Sequence, residues 1–265
     1  MIVEVILMGK NYGLLFTFGI GLFFLIGFIL VKIVKDKKKL LYFSTGMAFM
    51  VMIGMLLFDL IPEIVELNAS WDYIPIWKVV ITMIFILLGI GGLKCLDVLL
   101  PHHHHHHDHE SELEHDEHTS HVGIMTSISL IIHNIIEGMS VFVITCESVM
   151  TGLMATVAVG MHNIPLGIEI ASNMKEKNRK IGNYVVIILL LLSSFLGALL
   201  LYVCGFEVPV MVEIIMISLA SGMIIYISLF ELLPEMKNYK KERTLYYGII
   251  MGIISVILMI LLKQE

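Results

Sequence analysis

Two short stretches of the chain carry residue types suited to metal chemistry. His133-Asn134-Ile135-Ile136-Glu137-Gly138 and His162-Asn163-Ile164-Pro165-Leu166-Gly167 agree at four of six positions and start 29 residues apart. His133 and Glu137 are spaced i, i+4, so on a helix they project from one face; His162 and Glu169, spaced i, i+7, do the same. Two imidazoles and a carboxylate supply three ligands, and water completes a tetrahedral Zn²⁺ site. The same donors accept Fe²⁺, Mn²⁺, Co²⁺, Ni²⁺ or Cd²⁺. A single buried His-Asn pair is more simply a hydrogen-bonded core or helix–helix contact. The repetition, with a carboxylate one turn away, favours ligation. Pro165 has no N–H, so the Met161 carbonyl loses its helical partner and needs another. Gly138 and Gly167 are expected to let the two motif helices approach closely.

The surroundings of these motifs are apolar. Of the 265 residues, 58% are hydrophobic and 15% are Asp, Glu, Lys or Arg, against about 25% charged in soluble domains. That excludes a soluble enzyme, a disordered chain and a nucleic-acid-binding domain, and predicts a single polytopic membrane domain, 1–265, in a lipid bilayer. Eight apolar stretches are readable: roughly 11–31, 40–60, 76–96, 122–146, 150–172, 181–204, 208–233 and 244–262. A backbone in lipid must satisfy its own hydrogen bonds, so these are helices, and the fold class is all-α. Both His-Asn motifs fall near the bilayer midplane, where polar groups are expensive and usually functional.

Lysine and arginine placement sets the topology. Fourteen of the 17 basic residues fall on one side of an eight-span arrangement; Lys10, Lys78 and Lys263 fall on the other. This predicts both termini outside and the 97–121 segment in the cytoplasm. A further repeat, Phe58-Asp59-Leu60-Ile61-Pro62-Glu63 against Phe230-Glu231-Leu232-Leu233-Pro234-Glu235, closes span 2 and span 7. Those spans run in opposite directions, which suits an inverted repeat with spans 1–3 mirrored by 6–8 around a central span 4/5 pair. The plainer reading is two helices that share a Leu-Pro stop, leaving their acids as solvated helix ends.

Taken together, these features resemble the ZIP (Zrt/Irt-like) divalent metal transporters, in a bacterial, zinc-uptake-type form. The resemblance runs along the whole chain: His-Asn motifs on spans 4 and 5, Leu-Pro-Glu motifs at spans 2 and 7, and a His-rich loop between spans 3 and 4. It implies import of Zn²⁺ as substrate, with Fe²⁺, Mn²⁺ or Cd²⁺ as alternatives, across a bacterial inner or plasma membrane. It implies that spans 1, 4, 5 and 6 move as a group, and a homodimer. The implied ligands are His133, Asn134, Glu137, His162, Asn163 and Glu169, with Glu231 and Asp97 as a waypoint at the cytoplasmic exit.

The departures define what is particular to this chain. Ile136 stands where the family usually has Pro, Leu166 where it usually has Glu, and Phe230 where some relatives have His. Span 6 offers Ser193 and Ser194 but no acid before Glu207. One strong metal site is therefore expected rather than two. The lost acids and the large loop keep a non-transporting metal sensor of the same fold as the alternative. An intramembrane hydrolase is disfavoured, because the chain has no His-Glu-x-x-His and no obvious separate general base near the site.

Residues 102–121 hold ten of the twelve histidines, interleaved with acids. Such a tract reads as a disordered, multivalent metal buffer or sensor. Cys95, Cys146 and Cys204 make no disulfide framework and are expected to pack at span ends. The nineteen methionines are packing filler.

Overall fold

The computed structural model describes residues 2–99, 112–173, 180–204 and 209–263, and among them every regular element is helical. Eight helical spans follow in chain order. Span 1 is Ile2–Ile33. Span 2 runs through Lys37–Met55, a π turn at Leu56–Leu60, and Ile61–Ser70. Spans 3 to 6 are Pro75–Leu99, Glu112–Glu147, Val149–Asn173 and Lys180–Cys204. Span 7 runs through Val210–Tyr226, a π turn at Ile227–Leu232, and Leu233–Asn238. Span 8 is Arg243–Lys263. Seven of these contain segments long and apolar enough to cross a membrane, and span 4 contributes a shorter apolar stretch, Leu130–Cys146. The chain is an all-α polytopic membrane protein.

The spans sort into two groups. Span 1 packs on span 5 and span 4 on span 6; span 1 and span 4 each touch the other three of spans 1, 4, 5 and 6. Span 2 packs on span 8 and span 3 on span 7. These pairings interchange when 1 is swapped with 6, 2 with 7, 3 with 8 and 4 with 5. These four main pairings obey the inverted repeat expected from the sequence, while the contacts of span 1 with span 4 and of span 5 with span 8 have no comparable mirrored partner. The groups meet where span 5 touches spans 2 and 8, and where span 4 touches span 7.

The Leu-Pro motifs do not stop their helices, which corrects the stop-signal reading. Pro62 and Pro234 each follow a π turn, after which the helix resumes. A proline cannot donate to the carbonyl four residues back. Here the preceding N–H groups reach five back instead, Ile61 to Leu56 and Leu233 to Ser228. The widened turn absorbs the proline without ending the helix. Asp59 and Glu231 lie inside these turns and are buried, as is Glu235; the solvated-end reading fails for all three.

The small residues work differently from expectation. A Cβ at Gly138 would meet the Ser194 carbonyl oxygen of span 6, and one at Gly167 would lie 2.7 Å from the Phe24 carbonyl oxygen of span 1. The motif glycines thus seat spans 4 and 5 against spans 6 and 1, not against each other. Of the cysteines, Cys146 is partly buried and packs beside Met139 and Phe142, whereas Cys95 and Cys204 are exposed. Between spans 1 and 2, Asp36 caps span 2 by accepting from the Lys39 N–H at 3.1 Å, and this bond holds its carboxyl below the usual carboxylate range.

Candidate metal centre

Span 4 presents its motif to the interior. His133, Asn134 and Glu137 are all buried. The one-turn spacing brings His133 Nε2 to 3.8 Å from Glu137 Oε1. Two ligands of one tetrahedral ion, each about 2.0–2.2 Å from it, lie roughly 3.3–3.6 Å apart. The pair is therefore within a few tenths of an ångström of chelating geometry. Asn134 is fully buried, and neither its Nδ2 nor its Oδ1 has a hydrogen-bond partner. Asn163, its repeat-related partner on span 5, is fully buried in the same condition. A buried polar group left unsatisfied costs about 1–3 kcal/mol. Two such amides, in the two copies of one motif, are what a site for a polar guest provides.

The rest of span 5 divides. Pro165 lies inside the helix, as its position in the motif predicts. The side chain of His162 lies outside the described residues. Leu166, where the family usually has Glu, is fully buried in the main apolar core with Phe24, Phe28 and Ile170. Glu169 is fully buried; burial, then Glu235 and then Glu169, raises the pKa of the Tyr239 hydroxyl just past the end of span 7. His133, Glu137 and Glu169 do not form a ligand group; among the described residues no three His, Cys, Asp or Glu side chains do. Three residues beyond Leu166 on a helix of 3.6 per turn, Glu169 sits about 60° round the helix from it.

A cavity of about 350 Å³ connects the span 4 pair to the surface. It is lined by His133 and Glu137 at one end and by Asp59, Glu63 and Glu66 of span 2. A second cavity of about 450 Å³ continues past Glu63 and Glu66 to Ser70 and Glu213. Glu66 and Ser70 are exposed. Both cavities lie at the meeting of the two groups, with walls from spans 2, 4 and 7. Sequence reading missed Glu66, Ser140 and Glu213 here. A signal existed for the first: Asp59, Glu63 and Glu66 fall at i, i+4, i+7, one helical stripe, visible once the helix is carried past Pro62.

The proposed exit residues are partly placed. Glu231 is buried within its π turn, while Phe230 beside it points outward and is exposed. The side chain of Asp97 lies outside the described residues. So does the His102–His107 run, but the backbone is helical from Glu112. The second half of the 102–121 tract is therefore helix rather than disordered chain, and the acids at its start suit a helix N-terminus.

A family model described as ZIP zinc transporter matches residues 94–261. The match begins late in span 3 and takes in spans 4 to 8, with both His-Asn motifs and the second Leu-Pro-Glu. It covers well over half of the 265 residues. With eight helical spans in mirrored halves and a polar cavity ending at a buried His/Glu pair, the chain belongs to the ZIP family of divalent metal transporters.

Proposed function

We propose that this protein imports Zn²⁺, or a related cation such as Fe²⁺, Mn²⁺ or Cd²⁺, into the cytoplasm of a bacterium, with both termini outside. What carries the reading is the acid-lined cavity that runs from exposed Glu66 to buried His133 and Glu137 between two helix groups. The placement of fourteen basic residues on one side supports the orientation. It puts the cavity mouth at the outer surface.

A cation is drawn inward by Glu66, Glu63 and Asp59, shedding water as it goes. His133 and Glu137 bind it with His162 as the third protein ligand, and Asn134 and Asn163 offer neutral amide oxygens beside it. A movement of spans 1, 4, 5 and 6 against the others then exposes the ion to the cytoplasmic side, where Glu231 and Asp97 receive it. One ion is carried at a time. With Leu166 in the apolar core and asparagines at the other positions, the described residues offer no second cluster of carboxylates to neutralise a second dication. The tract around 102–121 buffers metal on the cytoplasmic side, and the working unit is a homodimer.

The test is ⁶⁵Zn²⁺ uptake into proteoliposomes, with the native chain beside His133→Ala and His162→Ala. Saturable uptake that both substitutions abolish is expected. Unchanged uptake in either variant would remove the midplane site from the path, and absence of uptake with zinc still bound would overturn transport. Titration of the purified protein should reach one tight ion; two would refute the single site.

A further inference from the structure

In the orientation proposed above, three lysines stand on the outer side, against fourteen basic residues on the other. One of the three, Lys78, bears on the outer cavity. Span 2 continues past its π turn as Ile61–Ser70, the segment whose Glu63 and Glu66 line both cavities. Its last turn carries no basic residue, although the free carbonyls and the negative end of the helix dipole there favour a cation. Span 3 supplies one. Lys78 Nζ donates to the carbonyl oxygen of Asn68, one of the last four residues of the segment, at 2.7 Å. A second tie lies one turn along span 3. The Asn68 amide Nδ2 donates to the Thr82 hydroxyl at 3.2 Å and to the Ile64 carbonyl oxygen of its own helix at 2.8 Å. Lys78 and Thr82 are spaced i, i+4, so one face of span 3 makes both bonds.

The segment is held from behind its carboxylates. At about 100° per residue, Glu63 lies about 140° round the helix from Asn68, and Glu66 and Ser70 about 160°. Ile64, one turn before Asn68, is buried, whereas Glu66 and Ser70 are exposed. Span 3 packs mainly on span 7, and the backbone of the segment also runs beside span 7. Side chains therefore make the tie to span 3. The other end of the molecule is built differently. Counted from the two copies of the Leu-Pro motif, Lys240 corresponds to Asn68. Its carbonyl oxygen accepts from the Tyr246 hydroxyl of span 8 at 2.9 Å, an exposed and neutral donor. Both halves pin the same carbonyl from the following span, and the half whose carboxylates line the open cavity uses a charge to do so.

We propose that Lys78, acting with Asn68 and Thr82, is the positioning residue of the outer entrance: it holds Ile61–Ser70 so that Glu63 and Glu66 face the incoming cation. It touches no metal itself, and its role rests on the entry route put forward above. By charge alone Lys78 would oppose entry, because like charges repel. Fixing two carboxylates on the cavity wall acts in the opposite direction, so the sign of the effect separates the two.

The experiment mixes the full-length protein in detergent rapidly with Co²⁺ alone and follows the rise of ligand-field absorption. The phase that disappears in His133→Ala belongs to the midplane site. Lys78→Met keeps the apolar stem and removes both donor and charge. It should slow the midplane phase roughly three- to tenfold, the low end of what a charged cleft adds to an association rate, with dissociation unchanged. Thr82→Val leaves every charge in place and should slow the phase less, and Lys78→Arg should return it to the native rate. In about 1 M salt, where charges act over about 3 Å, native and Lys78→Met proteins should converge. The double variant Glu63→Gln, Glu66→Gln should also be slow, and adding Lys78→Met to it should change nothing further, because Lys78 acts through those carboxylates. A faster midplane phase in Lys78→Met, the result that charge alone predicts, would overturn the proposal, and so would an unchanged one. Faster dissociation at the same time would mean general loosening and would overturn it too. A native rate in the Glu63→Gln, Glu66→Gln protein would sink the entry route and this inference with it. A slow carboxylate variant beside an unaffected Lys78→Met would sink the positioning role alone.

Discussion

Gly138 offers a perturbation whose effect follows from packing alone. It sits beside Glu137 and faces span 6, where an added Cβ would run into the Ser194 carbonyl oxygen, with the Ser194 carbonyl carbon and Cα only 2.6 Å away. A real Cβ keeps more than about 3 Å from such atoms, so Gly138→Ala forces spans 4 and 6 apart by a good part of an ångström. The obstacle is helix backbone, which cannot turn aside as a side chain would. Overpacking of this kind costs about 1–3 kcal/mol. The same displacement carries Glu137 away from the ion, so zinc affinity should fall by roughly 5- to 150-fold. Gly91→Ala is the matched control, because its added Cβ has nothing within 4 Å and should change stability by less than about 0.5 kcal/mol. The assay is zinc binding by competition with a chromophoric chelator, together with thermal unfolding in detergent. A Gly138→Ala protein that binds zinc and melts like the native chain would refute the reasoning. So would equal losses in the Gly91→Ala control.

Two further outcomes follow from the site and the loop. Leu166→Glu puts a carboxylate into a fully buried apolar position, and an unpaired buried charge costs several kcal/mol. The variant should melt well below the native chain in chelator and recover in zinc, with bound metal rising from one ion to two; melting unchanged in chelator would show that the position is not dry. Deleting residues 102–121 should lower the number of weakly bound zinc ions while leaving the tight site intact. The ions lost by deletion should be those that the native chain releases as pH falls below about 6.5, because a protonated imidazole cannot ligate. Weak binding that persists at pH 5 would assign it to the interleaved acids rather than the histidines.

What the sequence determined was whatever depends on local period and composition. Apolar length located all eight spans, because a backbone in lipid has only helix available to it, although spans 1, 2 and 4 run nine or ten residues past the expected ends. The i, i+4 spacing placed His133 and Glu137 on one face, and the helix delivered them 3.8 Å apart. The repeated hexapeptides announced mirrored halves, and the packing pairs obey that mirror. The tertiary structure decided everything that depends on which helix stands beside which. It turned Gly138 towards Ser194 and Gly167 towards Phe24, since a glycine records that something comes close without recording what. It carried the helices through Pro62 and Pro234, because a π turn is a response to packing that composition does not encode. It buried Glu169 completely and brought the Tyr239 ring onto Tyr42, nearly two hundred positions away in the chain. And it left Glu63 on an open cavity while burying Glu235 at the mirrored position, a difference that the shared motif does not express.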